Sequence, residues 1–292
     1  MTTKVEHRYE QINGIRLHYV TAGSGKPMVF VHGWPEAWFA WEAQLAEFSS
    51  THQAVALDTR GINESERPKD VAAYHARHLV EDLRQLIVHL GGSAIVVAHD
   101  WGGAAAWNLA AQHPECVEKL VIINSPHPVL FAHALAHDPE QQAASQYMRL
   151  LRDPKAERVL SENNFARLLS QFNGWQRSAN PPPPGTLERY LETWRQPGAM
   201  TAALNYYRAS PLYPPAPGET RTDLELPAEL FTVRIPTLVI WGGQDTALRP
   251  VLLEGLERYV TDLRIEHIPQ GSHWVAHEYP QQVNDLIREF LG

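Results

Sequence analysis

Five unbroken apolar runs of strand length constrain this chain most: PMVFV from 27, AVALD from 54, AIVVA from 94, KLVII from 119 and TLVIW from 237. None shows the alternation of a strand with one wet face, so each reads as a strand buried on both faces. Helix-length segments lie between them. In 74–90, Leu79, Leu83, Leu86, Ile87 and Leu90 recur at helical spacing until Gly91 and Gly92 end the pattern. Strand alternating with helix implies class α/β, a mostly parallel central sheet flanked by helices. An antiparallel hairpin precedes it, with YEQING and IRLHYV meeting at Asn13-Gly14, a dipeptide suited to a tight primed turn.

The strand rhythm stops near residue 126 and resumes near 233. Between them lie helical segments and two proline-rich stretches, PPPP at 181–184 and PLYPPAPG at 211–218. Proline has no backbone N–H, so these stretches read as extended connectors. The expected organisation is a first core part over 1–128, an inserted helical cap over 129–232 and a second core part over 233–292.

Charge and cysteine usage narrow the function. Lys and Arg total 25 against 33 Asp and Glu, a net charge of -8 with no basic cluster to follow a phosphate backbone, so nucleic acid is not an expected partner. No stretch approaches the ~18 apolar residues of a membrane span, and MTTKVEHRYE lacks the apolar centre of a secretion signal. A cytoplasmic protein without membrane association is expected. Cys116 is the only cysteine, which leaves no intrachain disulfide and reads as structural.

Two motif fragments fail. GSGKP at 23–27 echoes a phosphate loop, but that pattern requires Gly where Val20 stands and Ser or Thr where Pro27 stands. His133 with His137, and His273 with His277, have i, i+4 spacing but neither HExxH order nor an evident third ligand. No cofactor and no metal is expected.

The stretch VVAHDWGG, 96–103, sets a carboxylate directly after a buried strand. That point lies at the carboxyl end of a parallel sheet, where ligands bind in open α/β folds. A nucleophile elbow requires small neighbours, and Ala98, Gly102 and Gly103 supply them around Asp100. Taken alone, the stretch fits an aspartate that caps a helix equally well. Two later residues favour chemistry. WGGQD places Asp245 just beyond another apolar strand, and PQGSHW places His273 after one further strand-like segment. Acid, acid, histidine is the order of a hydrolase triad with aspartate in place of serine.

With these residues in view, the chain resembles the α/β-hydrolase superfamily over nearly its whole length, through HGWPEAWFAW, DTRG and HDWGG. The resemblance is to the branch of epoxide hydrolases and haloalkane dehalogenases, closest to the epoxide hydrolases. It implies the α/β-hydrolase fold with a helical cap, an oxyanion hole from the backbone N–H groups of Trp34 and Trp101, and a cis peptide bond before Pro35. Asp58 and Arg60 of DTRG are then loop-organising residues.

A carboxylate attacks an electrophilic sp3 carbon and leaves an ester, which His273, oriented by Asp245, can hydrolyse through water. An opening epoxide also makes a basic alkoxide, which gains from an acid, and tyrosine stays protonated at neutral pH. LNYYR at 204–208 resembles the epoxide-hydrolase cap motif whose second aromatic opens the ring, which implies that role for Tyr207. QYMRLLRDPKAE resembles the segment that carries the other tyrosine seven residues before a proline, here Tyr147 and Pro154. The expected reaction is an apolar or aromatic epoxide to a vicinal diol. The nearest rival is haloalkane or haloacetate dehalogenation by the same Asp100. The haloacetate group typically carries HDRG and further arginines, whereas Trp101 stands here and no Lys or Arg follows before Lys119. A non-catalytic ligand sensor on the same fold is the rival from another class. Phe165, Phe172, Trp175, Trp194, Tyr206 and Tyr207 are left either as pocket lining or as the core of the cap.

Overall fold

The computed structural model describes residues 4–220 and 224–292. Its chain opens with β1 (Glu6–Ile12) and β2 (Ile15–Ala22), an antiparallel hairpin. Asn13 and Gly14 turn it at φ 49° and 76°, the left-handed pair that a primed turn requires. β2 pairs antiparallel with β4 (Gln53–Leu57), and every pairing beyond is parallel. These involve β3 (Pro27–Val31), β5 (Ala94–His99), β6 (Val117–Ile123), β7 (Thr237–Gly242) and β8 (Leu263–Ile268). Among the described residues they form one eight-stranded sheet, ordered β1-β2-β4-β3-β5-β6-β7-β8. This is the α/β-hydrolase architecture expected.

All residues of β5 and β7 are buried, which is why both read as continuous apolar runs. β8 is the edge strand and LRIEHI is only half buried, so its sequence carries a weak strand signal. The helices α1 (Glu42–Phe48), α2 (Ala76–Leu90) and α3 (Asp100–Gln112) follow β3, β4 and β5. α2 turns Leu79, Val80, Leu83, Leu86 and Ile87 inward, the face that its periodicity announces.

Between β6 and β7 come α4 (Pro128–His137), α5 (Pro139–Ala144), α6 (Tyr147–Arg152), α7 (Ala156–Leu169), α8 (Asn173–Gln176), α9 (Thr186–Arg195) and α10 (Ala199–Ala209). α7 is broken at 162–165, where Asn163, Asn164 and Phe165 take left-handed φ. A cluster of rings holds these helices together. Phe172 stacks on Tyr190 at 5.0 Å and on Trp194 at 6.3 Å, while Phe165 meets Trp194 at 5.9 Å and Trp175 meets Phe172 at 5.9 Å. α9 grips the loop after β3: Trp194 Nε1 donates to the Pro35 carbonyl at 2.8 Å, and the Tyr190 hydroxyl donates to Glu36 Oε1 at 3.1 Å. After β8 the chain ends in α11 (Val275–Glu278) and α12 (Pro280–Leu291).

The strand order creates the site. From β3 the chain moves to β4 on one side and then returns to β5 on the other, so the loops leaving β3 and β5 diverge. A crevice opens outside the carboxyl ends of strands at such a switch point. Asp100 and the Gly33-Trp34 loop stand at its two sides.

Candidate active site

Asp100 takes φ 47°, a left-handed conformation that a non-glycine residue adopts only where its surroundings enforce it. The enforcement is local. A Cβ on Gly102 would lie 2.3 Å from the Val31 carbonyl oxygen, so only glycine lets the start of α3 approach β3 this closely. The Ser125 hydroxyl donates to the Asp100 carbonyl at 2.7 Å and ties the elbow to the end of β6. The expected small flank is thus a steric requirement, and the carboxylate is lifted into the crevice.

Three of the residues singled out in the sequence converge on that carboxylate. The Trp34 backbone N–H donates to Asp100 Oδ1 at 2.8 Å, and the Trp34-Pro35 bond is cis as expected. His273 Nε2 stands 3.8 Å from Asp100 Oδ2, and its other ring nitrogen, Nδ1, lies 2.7 Å from Asp245 Oδ2. Asp245 is buried but well supplied with donors. Its Oδ1 accepts from the N–H groups of Ala247 at 2.9 Å and Leu248 at 2.8 Å, and its Oδ2 also accepts from Asn124 Nδ2 at 2.7 Å. Burial works against its charge, and the His273 imidazole with these donors outweighs it, holding the carboxyl below its ordinary range. For His273, burial works against protonation, but the Asp245 charge and hydrogen bond, aided by Asp100, push the imidazole up to about 9.

The tyrosines stand over the same carboxylate. Tyr147, Tyr207, Trp101 and Asp100 line one cavity of about 200 Å³, walled otherwise mainly by apolar residues such as Phe131, Met148, Leu212 and Leu248. Tyr207 presents its ring edge-on to Trp34 at 5.4 Å and Trp101 at 5.2 Å, and Tyr147 meets Tyr207 at 6.2 Å. Burial, then the nearby carboxylate charges, push Tyr147 up; burial, then the neighbouring Tyr147 and Asp100, do the same for Tyr207. Both therefore hold their protons at neutral pH. The ring of Tyr206 lines the cavity, but its hydroxyl is engaged elsewhere, donating to the Arg60 carbonyl at 2.7 Å with Thr59 Oγ1 at 2.9 Å beside it. Of the six cap aromatics left open in the sequence, Tyr206 and Tyr207 line the cavity, and the other four form the ring cluster.

Of the two histidine pairs, His133 and His137 keep their ring centroids 4.6 Å apart, while His273 and His277 part company. His273 turns to Asp245, whereas His277 Nε2 meets Glu36 Oε1 at 2.6 Å.

Sequence reasoning missed two supports of this site. Asn124 has φ 40°, and its side chain joins Asp245 to the Gly242 N–H at 2.8 Å. Glu36, fully buried, collects His277, Tyr190 and His99, the last at 3.2 Å from Nδ1. His99 in turn lies 3.0 Å through Nε2 from the His273 carbonyl. Burial opposes the Glu36 charge, yet the two histidines hold the carboxyl well below its usual range. Its signal in the sequence was the acid following HGWP; nothing local connects it to residue 277.

A model of the alpha/beta hydrolase fold matches residues 26–280. Epoxide hydrolase 4 of Mus musculus is 36% identical, the match covering 98% of this chain and 79% of that protein. Epoxide hydrolase 2 of Caenorhabditis elegans is 34% identical over 98% of this chain and 80% of its own length. Among solved structures, a variant of a Bacillus megaterium epoxide hydrolase complexed with its product, (R)-3-[1]naphthyloxy-propane-1,2-diol, superposes with TM-score 0.90 at 34% identity, covering 97% of this chain and 99% of that one. The chain belongs to the α/β-hydrolase fold family and, within it, to the epoxide hydrolases.

Proposed function

We propose that the protein hydrolyses an apolar or aromatic epoxide to a vicinal diol through a covalent ester on Asp100. The observation that carries this reading is a pair of tyrosines, Tyr207 buried and Tyr147 partly buried, that line the same cavity as Asp100. A departing halide requires no proton, so a dehalogenase has no use for two phenols there. A ring-opening alkoxide does, and general acid help of this kind is typically worth about 100-fold to 10,000-fold.

In the first step an Asp100 oxygen attacks a ring carbon, the C–O bond breaks, and Tyr147 or Tyr207 gives its proton to the alkoxide. Asp100 then carries no charge. Because that charge is one of those raising His273, after the larger contribution of Asp245, esterification lowers the imidazole pKa from about 9 and so favours the neutral form that activates water. His273, held by Asp245, takes the proton of a water that attacks the ester carbonyl. The N–H groups of Trp34 and Trp101 then stabilise the resulting oxyanion, each such donor being worth roughly 100-fold to 1,000-fold in related chemistry. Collapse expels the diol oxygen, which takes the proton from His273, and the acid proton left on Asp100 returns to the tyrosinate, so the diol leaves and Asp100, His273 and the tyrosine are restored.

The cap supplies both acids and much of the apolar wall, which supports dividing the chain into core parts 1–128 and 233–292 and a cap over 129–232. The naphthyloxy diol held by the Bacillus megaterium relative agrees with an aromatic substrate class. The test is single-turnover hydrolysis of styrene oxide by excess enzyme in 18O-labelled water, with a chloroalkane and fluoroacetate run alongside for halide release. Unlabelled diol with label entering Asp100 supports the ester route. Halide release without diol replaces it with dehalogenation.

A further inference from the structure

Three side chains with no part in the reaction meet near the start of the chain. His7 on β1 and His18 on β2 are diagonal neighbours, in a register that pairs His7 with Val20 and Tyr9 with His18. His7 Nδ1 and His18 Nε2 stand 2.9 Å apart. Glu64, from the loop after β4, brings its carboxylate to the same point, so that one ligand atom from each residue lies within 4.8 Å of the others. His18 is buried, and His7 and Glu64 are exposed.

The groups behind them are arranged as metal ligands require. His18 Nδ1 lies 2.6 Å from Asp58 Oδ2, both side chains being fully buried. A carboxylate in that position keeps the proton on Nδ1 and turns the Nε2 lone pair toward His7 and Glu64. The same support orients and strengthens imidazoles that bind metals. Both carboxylates are themselves held: the Tyr9 hydroxyl donates to Glu64 Oε2, and Asn63 Nδ2 donates to Asp58 Oδ2 at 2.8 Å. Two imidazole nitrogens with one carboxylate beside them and a second behind His18 suit a dication. Imidazole with carboxylate suits zinc, copper and nickel, whereas calcium and magnesium favour oxygen alone.

We propose that His7, His18 and Glu64 form a binding site for one divalent transition-metal ion of the zinc class, with Asp58 supporting His18 from behind. His7 moves its ring proton to Nε2, freeing Nδ1 for the metal, and its exposure allows the small rotation this requires. The bound ion ties the β1–β2 hairpin to the loop after β4, and because the unfolded chain lacks the site, binding raises the melting temperature. The alternative is a plain histidine pair that only fixes strand register.

The test uses tag-free full-length protein stripped with chelator. Co2+ is titrated by visible absorption and Zn2+ by competition with a chromogenic chelator, in the wild type, His7→Ala and Glu64→Gln. The expected result is one equivalent of tightly held ion, a rise in melting temperature that chelator reverses, and affinity lowered about 10-fold or more in each variant. Melting temperatures in chelator report the folding of each variant separately from its metal uptake. A wild type that takes up no ion, or a variant that binds as the wild type does, overturns the proposal.

Discussion

At the residue scale the balance of charge around His273 makes predictions about both turnover and stability. His273→Ala keeps Asp100 and the tyrosines, so the proposed mechanism predicts that the variant still opens the epoxide and then stalls. Intact-mass analysis should show the enzyme gaining one substrate mass, and an unmodified enzyme would remove Asp100 as nucleophile. Tyr147→Phe and Tyr207→Phe each leave one phenol over the carboxylate, while the double variant leaves none. Rapid-quench kinetics should show the double variant slowed by about 100-fold or more in ester formation, and each single variant slowed less. The imidazole is pushed from its ordinary 6.5 up to about 9, so the folded protein holds that proton more tightly than the unfolded chain does. Its contribution to stability is therefore fully present below about pH 6.5 and is lost as pH rises through about 9. Urea unfolding at pH 6 and pH 9.5 should show this loss in the wild type and a smaller one in His273→Gln. At this scale Asp100, Asp245 and His273 were legible because each stands in the loop or turn beyond the carboxyl end of a strand, Asp100 directly after β5 and the other two a few residues after β7 and β8. Asn124 was not legible, since its bond to Asp245 joins the ends of β6 and β7.

At the scale of elements, two close approaches hold the site in shape. The start of α3 lies against β3 so tightly that a methyl group on residue 102 meets two backbone oxygens, those of Val31 at 2.3 Å and His32 at 2.6 Å. Backbone cannot yield as a side chain tip can, so Gly102→Ala should cost at least the ~1–3 kcal/mol typical of overpacking and lower activity with it. Denaturant melts read beside turnover check this, and a variant of unchanged stability would disprove the steric account. The other approach is α9 on the cis-proline loop. Glu36 is buried with His277, His99 and the cap hydroxyl of Tyr190, so Glu36→Ala strands buried groups from three elements. Removing one partner of such a set typically costs about 3–5 kcal/mol, whereas Tyr190→Phe removes one hydrogen bond to a charged group, roughly 1.5–3 kcal/mol. The order of these two losses in urea unfolding is the expected result. Unbroken apolar runs disclosed strands such as β5 and β7, which are buried on both faces, and periodicity disclosed α2, which turns one apolar face inward. The broken α7 and the edge strand β8 were less legible, because left-handed asparagines and a half-wet strand leave no regular pattern.

For the whole molecule the net charge is -8, the cavity beside Asp100 is walled mainly by apolar residues, and the proposed substrate is neutral. No long-range steering is then expected, so kcat/KM for styrene oxide should change less than about 2-fold between low and high salt. A steep salt dependence would point to a charged substrate. Among the described residues no helix is long and apolar enough to cross a membrane. The amino-acid sequence by itself determined the class of fold, the order of strands and helices, and which residues stand at strand ends. Burial on both faces writes itself into composition, and a strained elbow demands small residues at fixed offsets. Only the tertiary structure decided which of the cap aromatics line the cavity beside Asp100 and which form a ring cluster, that the Tyr206 hydroxyl is engaged by Thr59 and Arg60, and that residues 36, 99, 190 and 277 share one buried charge. It also brought His7, His18 and Glu64 together, through strand register and a loop that no local pattern encodes. The reason is common to all of these: local sequence sets which face of an element is apolar, but contacts between distant residues depend on how the faces of several elements pack at once.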